Sequence, residues 1–266
     1  MSEQDFTTTE DQQALATLDI HYGIELGCTP ADLRRPGWTV LQTRPEGDPM
    51  RLLFGRRLLA QLVSPSHQSD AGGEHGGVAV VAPELRGQVA DFLRGHPASW
   101  LFTPGGLAAL DELVRSGVSQ RVTALDGSNT RLSYARSATF QPYVGQWLEW
   151  IEPLDEAREM DPVALGLLAR FSGGVYAVRE RGMILGYAGL RSQSPHVWTI
   201  SMHIHAGSED RDMLACALVS RATRAVLAEQ RLPLFPYASE DEVSARIAER
   251  LGYRHYGQAV AFAEVT

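Results

Sequence analysis

Apolar residues recur at two different periods along this chain. From Glu10 to Leu26 they fall at Leu15, Leu18, Tyr22 and Leu26. Spacings of three and four place them on one face of a helix, and Gly27 suits its C-cap. The run TPADLRR predicts a short helical turn with Thr29 as N-cap and Pro30 at the first position. Strand-like runs follow at WTVLQT (38–43), RLLFGRRLLAQLV (51–63, broken near Gly55) and GVAVVA (77–82). Helices are expected at 83–95 and 104–117. RVTALD and TRLSYARS, separated by Gly127 and Ser128, read as a hairpin.

The second half repeats the alternation without repeating the sequence. GQWLEWIEPL (145–154) is a strand candidate, and DEAREMDPVALGLLARF (155–171) is helical with a restart at Pro162. Three strands follow between Gly173 and His205, joined by a tight turn at Glu180–Gly182 and a loop at Ser192–Pro195. A helix over 209–230 puts Met213, Leu214, Ala217, Leu218, Ala222, Ala225 and Val226 on one face. LPLFPYA (232–238) is a strand, and SEDEVSARIAERLG a helix ending on Gly252 with Ser239 and Glu242 as a capping box. YRHYGQAVAFAEV closes the chain as strand. The order predicts an α/β fold with a mixed sheet, a lobe at 1–137 and a second domain at 138–266.

The chain has 266 residues, enough for a sizeable core. Net charge of −8 argues against a general nucleic-acid or anionic-membrane surface. No apolar run approaches the ~18 residues that span a bilayer, and the acidic start MSEQDFTTTEDQQ does not read as a secretory signal. These features predict a cytoplasmic protein whose two cysteines, Cys28 and Cys216, are reduced thiols. The Gly-rich segment SPSHQSDAGGEHGG carries His67, Asp70, Glu74 and His75, but their spacing matches no metal motif, so no metal site is predicted.

One stretch is more specific. DEVSARIAERLGYRHYGQ (241–258) resembles a segment of the GCN5-related N-acetyltransferase (GNAT) superfamily, Asn-x-x-Ser-x-x-(Val/Ile)-Ala-x-(Lys/Arg)-Leu-Gly-(Phe/Tyr). Ser244, Ile247, Ala248, Arg250, Leu251, Gly252 and Tyr253 match, and Asp241 stands where Asn is usual. The resemblance implies a GNAT-like domain at 138–266. The long extension before it is similar to two-lobed members, in which a smaller GNAT-like or degenerate α/β lobe precedes the catalytic one. It also implies acetyl-CoA as co-substrate, its pantetheine arm laid along the end of the fourth strand at Met202, His203 and Ile204. The diphosphate would sit where the next helix opens, at Arg211, Asp212, Met213, Leu214 and Ala215. There the sequence departs from the family pattern (Gln/Arg)-x-x-Gly-x-(Gly/Ala). Asp210 replaces the basic residue and Met213 the central glycine, and only Ala215 fits. Glu209, Asp210 and Asp212 suit a helix dipole but repel a diphosphate.

The family's usual base, a Glu on the fourth strand, is Thr199 here, and its usual acid, a Tyr before Leu-Gly, is Ala248. On the strand 198–205, Thr199, Ser201, His203 and His205 alternate to one face. His203 is the candidate base. Tyr253 and Tyr256 are the candidate acids, with His255 and Tyr237 as further candidates. Trp147, Trp150, Phe171, Tyr176 and Tyr187 either line an acceptor pocket or pack as core. Two functions stay open: an acyltransferase acting on an amine, small-molecule or protein, or a GNAT fold that has lost CoA and serves as a binding module. Homodimerisation is a further expectation.

Overall fold

The computed structural model describes residues 9–43, 52–53, 56–66, 76–118, 122–143, 149–151, 171–180, 183–192, 194–205 and 211–264. The chain divides into two compact units, Met1–Leu132 with Tyr256–Thr266, and Ser133–His255. The closing strand therefore contributes to the first unit, whereas the sequence reading groups it with the second.

In the first unit, helices α1 (Thr9–Leu26) and α2 (Pro30–Arg34) precede strands β1 (Trp38–Gln42), β2 (Leu52–Leu53), β3 (Arg56–Pro65) and β4 (Gly77–Val81). A 3-10 turn at Pro83–Leu85 leads into α3 (Arg86–Arg94), α4 (Ala98–Leu101) and α5 (Pro104–Gly117), then β5 (Val122–Tyr134). The last strand, β11 (Arg254–Glu264), returns to give the order β1-β4-β3-β11-β5, with β2 on β3 as a short hairpin. β1 and β4 are parallel, and β3 runs antiparallel to both of its neighbours. All five residues of β4 are buried, which explains its unbroken apolar run. Leu59, Leu62, Val81, Leu85, Val89, Leu110, Val260 and Phe262 form the core here.

Local signals and structure agree closely at α2. Thr29 accepts from the Asp32 amide, and the Asp32 carboxylate accepts from the Thr29 amide, a complete capping box. Gly27 takes φ +70°, the left-handed conformation that suits a helix end. The hairpin expected at Gly127–Ser128 is not formed: β5 runs unbroken from Val122 to Tyr134. Its neighbour β11 supplies a ladder for the backbone, and nearby Asn129 is held by Phe102 C=O at 3.0 Å, so tertiary pairing overrides local turn chemistry.

The second unit has the order β6-β7-β8-β9-β10, where β6 is Glu149–Ile151, β7 Gly174–Glu180, β8 Met183–Ser192, β9 Val197–Ile204 and β10 Leu232–Ala238. Neighbours are antiparallel as far as β9, and β10 is parallel to β9. Helix α6 (Arg211–Ala228) links those two strands, and α7 (Glu242–Arg250) follows β10. The helical expectation at 155–170 lies outside the described residues, as does the turn at Arg181–Gly182.

α6 covers one face of this sheet. Leu214, Leu218, Ala222 and Val226 pack with Val178, Ala188, Ile200 and Phe235 in a buried cluster, with Met202 and Ile204 against it. Gly186 permits the close approach, since an added Cβ would lie 3.2 Å from Leu218 Cδ1 of α6 and 2.8 Å from Ile204 Cδ1. The cap of α7 is Asp241, not Ser239. Its carboxylate accepts from the Ser244 amide at 3.0 Å and from Ser244 Oγ at 2.6 Å, while buried Ser239 Oγ has no hydrogen-bond partner among the described residues. The family position occupied by Asp241 is thus an ordinary Asx cap. Gly252 has φ +76°, and a Cβ there would collide with Thr139 O.

Candidate functional site

The ladder between β9 and β10 is short. It joins Val197 to Leu232, Trp198 to Pro233 and Thr199 to Leu234, although both strands continue beyond. Two backbone bonds set the parity. Leu232 N–H donates to His196 O, and His205 N–H donates to Leu185 O on the β8 side. Even-numbered residues of β9 therefore turn their amide and carbonyl toward β10, and odd-numbered ones toward β8. After Leu234, the next residue of β10 placed to donate to β9 is Pro236, which has no N–H. Pairing ends there, and the strands part. The backbone groups of Met202 and Ile204 are left directed into the gap without a strand partner among the described residues.

This parity separates the three strand residues assigned to the cofactor. Met202 and Ile204 present backbone to the gap and side chains to α6. His203 pairs with Tyr187 on β8, so its backbone is committed there, and only its side chain is available. Register places Ala177, Tyr187 and His203 on the face opposite α6. His205 joins them: its ring lies 5.1 Å from that of His203, and Tyr187 lies 5.4 Å from His203 and 6.4 Å from His205. The His203 imidazole is exposed. Partial burial, then the neighbouring His205 and Arg211, hold its pKa below the usual 6.5, which favours the neutral imidazole.

The start of α6 carries Arg211 and Asp212, both exposed. Asp212 is not a free acid. Its Oδ2 accepts from Arg246 of α7 at 3.0 Å, which offsets one of the negative charges set against a diphosphate; a pair this exposed adds little to stability. Glu209 and Asp210 lie outside the described residues. Met213 is half-buried, whereas Leu214 and Ala215 point into the core and have only backbone to offer a ligand.

The tyrosine candidates sit elsewhere. Tyr253 is buried, its hydroxyl 2.5 Å from Thr223 Oγ1, and burial pushes its pKa above the ordinary tyrosine range. Tyr256 belongs to the first unit. It stacks on Tyr22 at 5.4 Å, and its hydroxyl donates to buried Asp19 at 2.9 Å, which also accepts from Arg34 Nε at 2.6 Å. Burial, then Asp19, raise the Tyr256 pKa strongly. Both hydroxyls are thus engaged in packing. Tyr237 is likewise buried and accepts from Ser133 Oγ at 3.4 Å, while His255 is exposed.

The aromatics divide between faces. Tyr176 lies under Arg221 of α6, 5.7 Å from guanidinium to ring centre. Phe171 lies against Gly189, whose partner Ser201 shares the face of His203. Trp147 and the Trp150 side chain are outside the described residues. Sequence reasoning missed Pro236 as the residue that ends the ladder. Its signal was the second proline of LPLFPYA, legible only once the parity of β10 is known. It also missed Arg246 as the partner of Asp212, since nothing local links positions on two helices.

Among the described residues no helix is long and apolar enough to cross a membrane, and no cluster of three or more His, Cys, Asp or Glu side chains is placed to hold a metal. The segment with His67, Asp70, Glu74 and His75 lies outside them. Cys28 and Cys216 are free thiols.

No protein-family model and no curated protein matches the sequence. Similar solved structures are GNAT-family acetyltransferases. A GCN5-related N-acetyltransferase-like protein from Streptococcus suis is 14% identical, with a TM-score of 0.44 over 59% of this chain and 68% of that one. A tandem GNAT protein from the clavulanic acid biosynthesis pathway is 15% identical, with a TM-score of 0.38 over 61% of this chain and 59% of that one. The yncA protein of Salmonella typhimurium, solved with its cofactor acetyl-CoA, is 17% identical, with a TM-score of 0.29 over 39% and 69%. The likeness is one of fold alone.

Proposed function

We propose that the second unit transfers an acyl group from acetyl-CoA to an amine. The observation that carries this reading is the parted β9–β10 pair, with Met202 and Ile204 backbone turned into the gap one residue away from the His203 imidazole. An extended amide-bearing arm fits such an edge as an added strand. The residues fit a CoA-like ligand in three respects: backbone at Met202 and Ile204 without a strand partner among the described residues, first-turn amides of α6 that have no intrahelical carbonyl to bond, and Arg211 beside them with Asp212 paired to Arg246. They depart from the family pattern at Met213, which brings a side chain where glycine admits phosphate closely.

Acetyl-CoA supplies the activated acyl group. His203 takes the proton from the acceptor ammonium, leaving a neutral amine that would attack the thioester carbonyl; the C–S bond would break and the CoA thiolate would leave, to be protonated by solvent. Phe171 and Tyr187 share its face and would bound the acceptor. Neither Tyr253 nor Tyr256 is given the acid role, because both hydroxyls are buried and engaged. The second reading, a fold that has kept its shape and lost its chemistry, is favoured by Thr199 and Ala248 at the family's Glu and Tyr positions. Thiol release from acetyl-CoA against a panel of small amines and lysine peptides separates the two. Turnover that is lost in His203→Gln supports the transferase. No thiol release with any acceptor, together with no change in melting temperature on adding CoA, supports the binding module.

A further inference from the structure

We propose that His205 is a positioning residue for His203: packed edge-on against it, His205 orients that imidazole and sets the electrostatic surroundings it meets. The inference rests on the reading of His203 as base and deepens it. The two histidines are separated by one residue on β9, so the pleat sets both on the face opposite α6. Their rings meet at 84° with centres 5.1 Å apart. Tyr187, nearly fully buried, stands behind both. A ring held on two sides by fixed neighbours has lost most of its rotamer freedom, and an exposed imidazole otherwise has little to hold it.

Among the described residues, the charged and titratable groups that face His203 are His205 from its own strand, Tyr187 from β8 and Arg211 from α6. Both basic neighbours disfavour a positive charge on His203. When the acceptor R–NH3+ gives its proton to His203, the products are R–NH2 and an imidazolium. That imidazolium is disfavoured beside the Arg211 guanidinium and passes its proton to solvent, which resets the base.

The test compares the intact chain with His205→Gln and His205→Arg, with circular dichroism to confirm an unchanged fold. The ring-proton titration of His203 is followed by NMR. Loss of the neighbouring imidazole in His205→Gln is expected to move the His203 midpoint upward by about half a pH unit, and the permanent charge of His205→Arg to move it downward. The acid limb of the thiol-release profile should follow in the same order. A purely structural role would not order the midpoints by charge. Equal His203 midpoints in all three proteins, or midpoints that ignore charge, overturn the proposal. Midpoints that move as expected without any thiol release leave the coupling standing and overturn the transferase reading instead.

Discussion

In the proposed reaction His203 owes its role to its place: the side chain stands on the face opposite α6, its backbone is paired with Tyr187, and partial burial lowers its pKa from 6.5. Replacing it by Gln should lower the rate of thiol release at least about a hundredfold, the usual size of a general-base contribution, with little change in CoA affinity measured by calorimetry. A comparable loss of CoA affinity would mean that the side chain binds rather than reacts. A second histidine makes a stability prediction. His21 on α1 is 3% exposed, and its ring nitrogens have no hydrogen-bond partner among the described residues, although Nε2 lies 3.6 Å from Glu25 Oε2. Burial lowers its pKa from 6.5 more than Glu25 raises it. The unfolded chain therefore takes up this proton first as pH falls. The stability due to His21 is complete above the unfolded value and is lost as pH drops through the lower folded value. Urea unfolding should show that slope, at most about 1.4 kcal/mol per pH unit, and His21→Phe should remove it. An unchanged slope in the variant would assign the pH response to other groups. At this scale the sequence was informative about residue type and face, since the H-x-H spacing alone placed both site histidines together. It did not show which hydroxyls are engaged, because the contacts of Tyr253 with Thr223 and of Tyr256 with Asp19 span 30 and 237 positions.

The helices and strands follow local chemistry where that chemistry is self-contained. The expected helices at 104–117 and at Thr29–Pro30 match Pro104–Gly117 and Pro30–Arg34 because their caps lie within four residues. α4 escaped notice because four residues are too few to show a period. The cap of α7 was misplaced for a physical reason: Ser239 and Glu242 have the spacing of a capping box, but Asp241 is the residue that meets the Ser244 amide. Asp241→Ala should therefore cost about 1 kcal/mol in urea unfolding. Ser239→Ala should cost nothing or stabilise slightly, since it removes a buried hydroxyl that has no hydrogen-bond partner among the described residues. The reverse ranking would return the cap to Ser239. The parting of β10 from β9 makes the element-scale prediction about ligand. Pro236→Ala restores an N–H facing β9, and one further net hydrogen bond of about 1 kcal/mol favours the closed ladder. Acetyl-CoA should then bind about fivefold more weakly by calorimetry. Unaltered affinity would mean that Pro236 does not hold the gap open.

At the scale of the whole molecule, the α/β class and most of the element order were legible in the hydrophobic pattern, and the family resemblance came from a single helix-and-turn segment. Two things were not legible. The grouping of Tyr256–Thr266 with the first unit depends on pairing between β11 and β3, as between Gly257 and Pro65, which stand far apart in the chain. The register that turns Met202 and Ile204 toward the gap exists only once three strands are side by side. The central claim is that this gap receives an acyl-CoA despite a helix start poor in glycine. The most direct measurement is the melting temperature of the intact protein with and without saturating acetyl-CoA. At a concentration about one hundred times the dissociation constant, binding should stabilise the fold by about 2.7 kcal/mol and raise the melting temperature by a few degrees. Arg211→Ala should diminish that rise at the same ligand concentration. An identical melting temperature with and without acetyl-CoA, up to millimolar ligand, would contradict the account.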